Sequence, residues 1–90
     1  MSSQTADDAA ARQLTEAVLT TVRVKFEAPE GTTAETPYEE MEFDSLVLLE
    51  LAVHLSKEYG VEITDDEILN ASDITETARL LAGKGARSRD

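Results

Sequence analysis

The sequence predicts an all-α chain of three main helices and one short third helix, with a long loop after the first. Three observations carry this. Apolar residues recur at spacings of three and four in the first and middle parts of the chain. Asp44, Thr64 and Asp73 each stand just before such a run, where helix caps belong. No strand pattern, internal repeat or Gly-rich phosphate loop competes with this reading.

The first helix is expected from about Asp7 to Phe26, with Leu14, Val18, Leu19, Val22 and Phe26 along its inner face. Asp7 and Asp8 suit the positive end of the helix dipole, and Arg23 and Lys25 the negative end. Pro29, Gly31 and Pro37 then rule out helix through a long connection, aided by Thr32 and Thr33. A loop of that length needs anchors, and Val24, Tyr38, Met41 and Phe43 are the candidates.

The second helix is expected over Ser45–Tyr59. Asp44 is its cap, because a carboxylate there can accept the free amides of the first turn. Leu48, Leu51, Ala52, Leu55 and Tyr59 form its inner stripe, which Leu49 and Val53 widen. Gly60 ends it in the left-handed conformation. Val61-Glu62-Ile63 is a short extended link. Thr64 and Glu67 make a capping box for a short helix through about Asn70. Asp73 and Glu76 repeat that spacing for a last helix to about Ala82, with Ile74, Ala78 and Leu81 inward, Leu80 in support, and Gly83 and Gly85 stopping it. The folded domain is expected over 7–83, between flexible tails at 1–6 and 84–90.

Ninety residues make one domain with a thin core and little room for a deep catalytic cavity. The absence of cysteine excludes disulfides, thiolate zinc sites and cysteine nucleophiles, and fits a cytoplasmic location. The first residues lack the basic start and apolar run of a secretory signal, and no stretch is apolar enough to span a bilayer. The net charge of -11 repels nucleic acid and anionic membranes and attracts basic protein surfaces. That charge is uneven: between Glu35 and Glu76, Lys57 is the only Lys or Arg among many carboxylates.

An enzyme reading fails on geometry. Asp44, Ser45 and His54 hold the residue types of a hydrolase triad, but His54 lies nine positions after Ser45 on one helix. That separates them by roughly 13 Å along the axis at about 1.5 Å per residue, far beyond hydrogen-bond contact. The carboxylate clusters at Asp65–Glu67 and at Glu39, Glu40 and Glu42 lack the spacing of a calcium loop, so no metal site is expected. Ser45 is different. Asp44 already supplies the cap, and a phosphodiester on a first-turn hydroxyl would sit in the favourable field of the helix start. The residues alone leave both a bare and a modified serine open.

Phe43-Asp44-Ser45-Leu46, then Leu49-Glu50-Leu51, then Glu58-Tyr59-Gly60-Val61-Glu62-Ile63, resembles the acyl carrier protein family without a gap from Phe43 to Ile63, and more loosely over about 10–82. The resemblance implies a four-helix bundle of acyl carrier type that does no bond-making of its own and is a monomer. It implies a 4′-phosphopantetheine arm on Ser45, holding acyl or polyketide intermediates as thioesters. Asp44 corresponds to the acid presented near the magnesium of the phosphopantetheinyl transferase. Leu46 corresponds to an apolar docking residue, and Glu50 to an acid that meets partner Arg or Lys. Other implied partners are a ketosynthase, an acyltransferase or similar acyl-processing enzymes with basic docking patches.

The sequence departs from the family where Met41-Glu42 replaces the usual Leu-Gly, which puts the turn into the second helix in question. Val47 stands where fatty-acid carriers commonly have an acid, and Ser56 and Lys57 replace later acids. Val47 is expected to face outward and to distinguish partners. These departures favour a free-standing carrier of polyketide or related secondary-metabolite (antibiotic) assembly over a fatty-acid-synthesis carrier. Phe43-Asp44 argues against a peptidyl or aminoacyl carrier. A helical adaptor with a bare Ser45 is the alternative of a different class.

Overall fold

The computed structural model describes residues 2–86, with side chains from residue 11 onward. Its elements are α1 (Ser2–Lys25), α2 (Ser45–Tyr59), α3 (Asp65–Ala71) and α4 (Ile74–Gly83). This is the all-α, four-helix architecture expected, and α2 has the expected bounds. Helix α1 lies along α4, α2 packs on α3, and α3 packs on α4.

The core follows the helical spacing. Leu14, Val18 and Val22 of α1 meet Ile74, Ala78 and Leu81 of α4, with Leu48, Leu51, Ala52, Leu55 and Tyr59 of α2 and Ile68 of α3 in the same cluster. Burying each large aliphatic side chain stabilises the fold by roughly 1.5–3 kcal/mol before entropy is counted. Helix α1 starts at Ser2 rather than near Asp7, leaving no acid in its first turn. Gln4 and Ala6, both good helix formers, allow the helix to extend back past Asp7.

The loop is held by different anchors than the full expected set. Tyr38 and Met41 are buried and Phe43 packs against the core, whereas Val24 is 70% exposed and anchors nothing. Its position on α1 faces away from the stripe of Val18 and Val22. Thr77, fully buried on α4, is the anchor that sequence spacing misses: its Oγ1 lies 2.6 Å from the Tyr38 hydroxyl. Thr77 spends its one hydrogen on the Asp73 carbonyl at 2.8 Å, so Tyr38 donates. Main-chain bonds finish the attachment, from the Tyr38 amide to Ser72 O (2.9 Å) and from the Thr75 amide to Ala34 O (3.0 Å).

The other end of the domain also differs from expectation. Gly83 is still helical, and Gly85, at φ 88°, is the left-handed stop. The Ala86 amide reaches Leu81 O at 3.0 Å and the Gly85 amide Ala82 O at 3.1 Å, the paired bonds of a Schellman stop. Residues 84–86 therefore belong to the fold, with Ala86 against the core and Lys84 paired to Glu67 at 3.0 Å. The rest of the expected tail, 87–90, lies outside the described residues.

Candidate functional site

The site is built by the turn that leads into α2. Tyr38–Phe43 form one tight turn closed by two bonds, Phe43 N to Tyr38 O (3.4 Å) and Glu42 N to Glu39 O (3.2 Å). These are again the two bonds of a Schellman stop, with Glu42 at the left-handed position, φ 62°. The apolar contact that accompanies such a stop is present as well: the Tyr38 and Phe43 rings stack at 6.3 Å. Glu42 thus adopts, without being glycine, the left-handed conformation that glycine favours. A non-glycine residue in this region costs roughly 1–2 kcal/mol.

Immediately after the turn, Asp44 is extended and its carboxylate accepts the Val47 amide at 3.0 Å. Its carbonyl accepts the Leu48 amide at 3.0 Å, the first bond of α2. Ser45 is the first helical residue and is exposed. Because Asp44 supplies the capping oxygen, the Ser45 hydroxyl is not needed for that bond. It is an outward-facing hydroxyl at the positive end of a fifteen-residue helix.

The remaining expected site residues divide. Leu46 is 62% exposed beside the serine, and Glu50 is exposed one turn further on. Val47, expected outward, is partly buried. Leu49 and Val53, expected to widen the inner stripe, are 48% and 49% exposed and lie on the outer face. The inner stripe is complete without them, since Leu48, Leu51, Ala52 and Leu55 already meet the core. His54 is half-buried with its ring edge-on to Phe26 at 6.3 Å, and Phe26 in turn meets Phe43 at 6.4 Å. The histidine is part of an aromatic brace behind the site and takes no place beside the serine.

Ser56, noted as a lost acid, has a structural task. Its Oγ accepts the Ile63 amide and donates to the Ile63 carbonyl, both at 3.2 Å, folding the 61–63 link back onto α2. A serine that serves both main-chain groups of a residue seven positions away leaves no local pattern to read.

An exposed primary hydroxyl at a helix start, with its neighbour holding the cap, fits an attached phosphate group. The comparison with known families points the same way. The sequence pattern of the phosphopantetheine attachment site family matches residues 12–81, and the chain belongs to that family. It is a carrier whose prosthetic group is a covalent 4′-phosphopantetheine. A relative from Streptomyces avermitilis, described as polyketide-8 synthase acyl carrier protein 2, is 39% identical over 46 residues. That match takes in 51% of this chain and 53% of the relative, so the chain spans about half the length of the relative it matches. No solved structure matches the chain. No described helix is long and apolar enough to cross a membrane.

Proposed function

We propose that Ser45 bears the 4′-phosphopantetheine arm and that the chain carries acyl or polyketide intermediates on it as thioesters. The observation that supports this most is the pairing of an exposed Ser45 with a cap supplied by Asp44, inside the region that matches the family. The family's arm ends in a thiol, which supplies the thioester chemistry. The chain's own residues position the arm and present it, so the protein acts as a carrier and not as a catalyst.

Asp44, exposed beside the serine, is the acid offered to the metal of a phosphopantetheinyl transferase. Leu46 is the apolar contact for that enzyme and for later partners, and Glu50 is an acidic contact. Val47 contributes only its exposed edge. The partners are acyl-processing enzymes such as a ketosynthase or acyltransferase, with basic docking patches suited to the net charge of -11. The description of the Streptomyces relative favours polyketide assembly over fatty-acid synthesis. The carrier works as a cytoplasmic monomer.

The test is intact mass after incubation with coenzyme A, magnesium and a broad-specificity transferase. The wild-type chain is expected to gain one phosphopantetheine, and Ser45→Ala to gain none. No gain on the wild type, or a gain that survives Ser45→Ala, refutes the assignment.

A further inference from the structure

Residues four apart on a helix form a continuous ridge, and the ridge that begins at Ser45 runs Ser45, Leu49, Val53, Lys57. Its composition is ordered. It starts with the hydroxyl, continues with two half-exposed apolar side chains and ends on a cation. Beside it lies an open groove of about 500 Å³, walled by Phe26 and His54 as well as by Leu49 and Val53.

The charge in this groove is opposite to that of the molecule. Lys57 and Lys25 flank it against one carboxylate, Glu50, while the whole chain stands at -11. Neither lysine makes an ion pair among the described residues, whereas Lys84 and Arg79 both do. Glu50 sits two turns nearer the serine than Lys57, so an anion in the groove is driven toward the lysine end. Val53 lies eight residues beyond Ser45, about 12 Å at about 1.5 Å per residue, a span within reach of a pantetheine chain.

We propose that this ridge and its groove form a resting track for the arm's cargo, selective for acyl groups that end in a carboxylate. The arm lies over Leu49 and Val53, and the cargo's carboxylate meets Lys57 and Lys25. An acyl group without a carboxylate gains only the apolar part of the track. The track is on the outer face of α2, because the inner face is filled by Leu48, Leu51 and Leu55 against Ile68. Cargo at rest there covers part of the face that Leu46 and Glu50 offer to partners, so a partner must displace it.

This inference rests on Ser45 bearing the arm. The experiment loads the ¹⁵N-labelled chain with acetyl- or malonyl-phosphopantetheine from the two coenzyme A thioesters, checks each by intact mass, and compares their amide spectra. The malonyl form is expected to differ from the acetyl form at Lys25, Leu49, Val53 and Lys57. That difference should shrink at least twofold in Lys25→Gln/Lys57→Gln and persist in Lys57→Arg. The apo spectrum of the double variant reports its folding, and both sites are exposed. Identical acetyl and malonyl spectra overturn the proposal, as do differences that fall on α3 at Leu69 or that survive intact in the double variant. A chain that gains no mass overturns the attachment at Ser45 and the track together, whereas a loaded chain without the pattern overturns the track alone.

Discussion

At the scale of single residues, Asp44 has two separable tasks. Its side chain caps α2 through the Val47 amide, and its charge stands next to the serine. Asparagine can cap about as well but carries no charge. Asp44→Ala is therefore expected to cost about 1 kcal/mol in urea unfolding, and Asp44→Asn almost nothing. Both are expected to slow arm transfer to Ser45; a normal rate in Asp44→Asn would show that only the cap matters. Tyr38 is the other informative residue. Burial pushes its phenol up to about 12 from the ordinary 10.0, opposed by the Thr77 hydroxyl, which can turn to donate to a phenolate, and assisted by nearby Asp73. Burial and Glu58 move Tyr59 in the same direction. A raised acid is neutral in the folded state, so its contribution is complete below pH 10 and is lost as pH rises toward 12. Urea midpoints are expected to fall over that window. Tyr38→Phe, which removes a buried hydrogen bond, is expected to cost about 1 kcal/mol at neutral pH and to flatten the alkaline fall. An unchanged alkaline profile in Tyr38→Phe would assign the fall to other groups. The cap at Asp44 was readable from its position before an apolar run, but the Tyr38–Thr77 bond was not. Its partners are 39 residues apart, and nothing local distinguishes this threonine from a solvated one.

At the scale of elements, the chain uses the left-handed conformation with two kinds of residue. Gly60 closes α2 at φ 66°, and Glu42 closes the turn before α2 at φ 62°. A Cβ at Gly60 would meet nothing within 4 Å, so the cost of Gly60→Ala is backbone strain alone, roughly 1–2 kcal/mol. The reverse exchange relieves the same strain. Glu42→Gly is expected to stabilise by up to about 1 kcal/mol, the relief being partly offset by the greater freedom of glycine in the unfolded chain. Thermal unfolding of both variants checks the pair, and a loss of stability in Glu42→Gly would mean that the glutamate side chain itself holds the turn. These stops explain which boundaries could be read beforehand. Helix α2 was legible at both ends because Asp44 and Gly60 are the residue types those positions favour. The turn at Glu42 was marked only by the resemblance, which has a glycine there, because glutamate itself gives no sign of a left-handed residue. The outward phase of Leu49 and Val53 was also hidden. Apolar residues on a helix imply burial unless a face is already full, and only the packed core shows that Leu48, Leu51 and Leu55 fill it.

At the scale of the whole molecule, charge acts on stability and on function with opposite signs. Thirteen of the nineteen Asp and Glu residues lie between Glu35 and Glu76, against one Lys or Arg there. Among the described residues only Arg79–Glu76 and Lys84–Glu67 are ion-paired, the first exposed and the second partly covered, its side chains 28% and 36% exposed. Lys84 and the Thr64 amide hold Glu67 below its ordinary range, but two pairs that water still reaches do not offset the surplus of carboxylates. Salt therefore screens more repulsion than attraction within the fold. Raising ionic strength from 0.01 to 0.1 M shortens the Debye length from about 30 to about 10 Å, which spans the distances between neighbouring carboxylates. Each kcal/mol of relief raises Tm by about 4–8 °C in a domain of this size, so Tm is expected to climb by several degrees. Over the same range the attraction of the acidic surface for a basic transferase is screened, and the initial rate of arm transfer is expected to fall. The rate must be measured below substrate saturation, where encounter rather than chemistry limits it. A falling Tm would mean that the two ion pairs outweigh the net charge. A transfer rate indifferent to salt would mean that docking depends on Leu46 and its apolar neighbours, with the acidic charge serving only to keep the carrier dispersed.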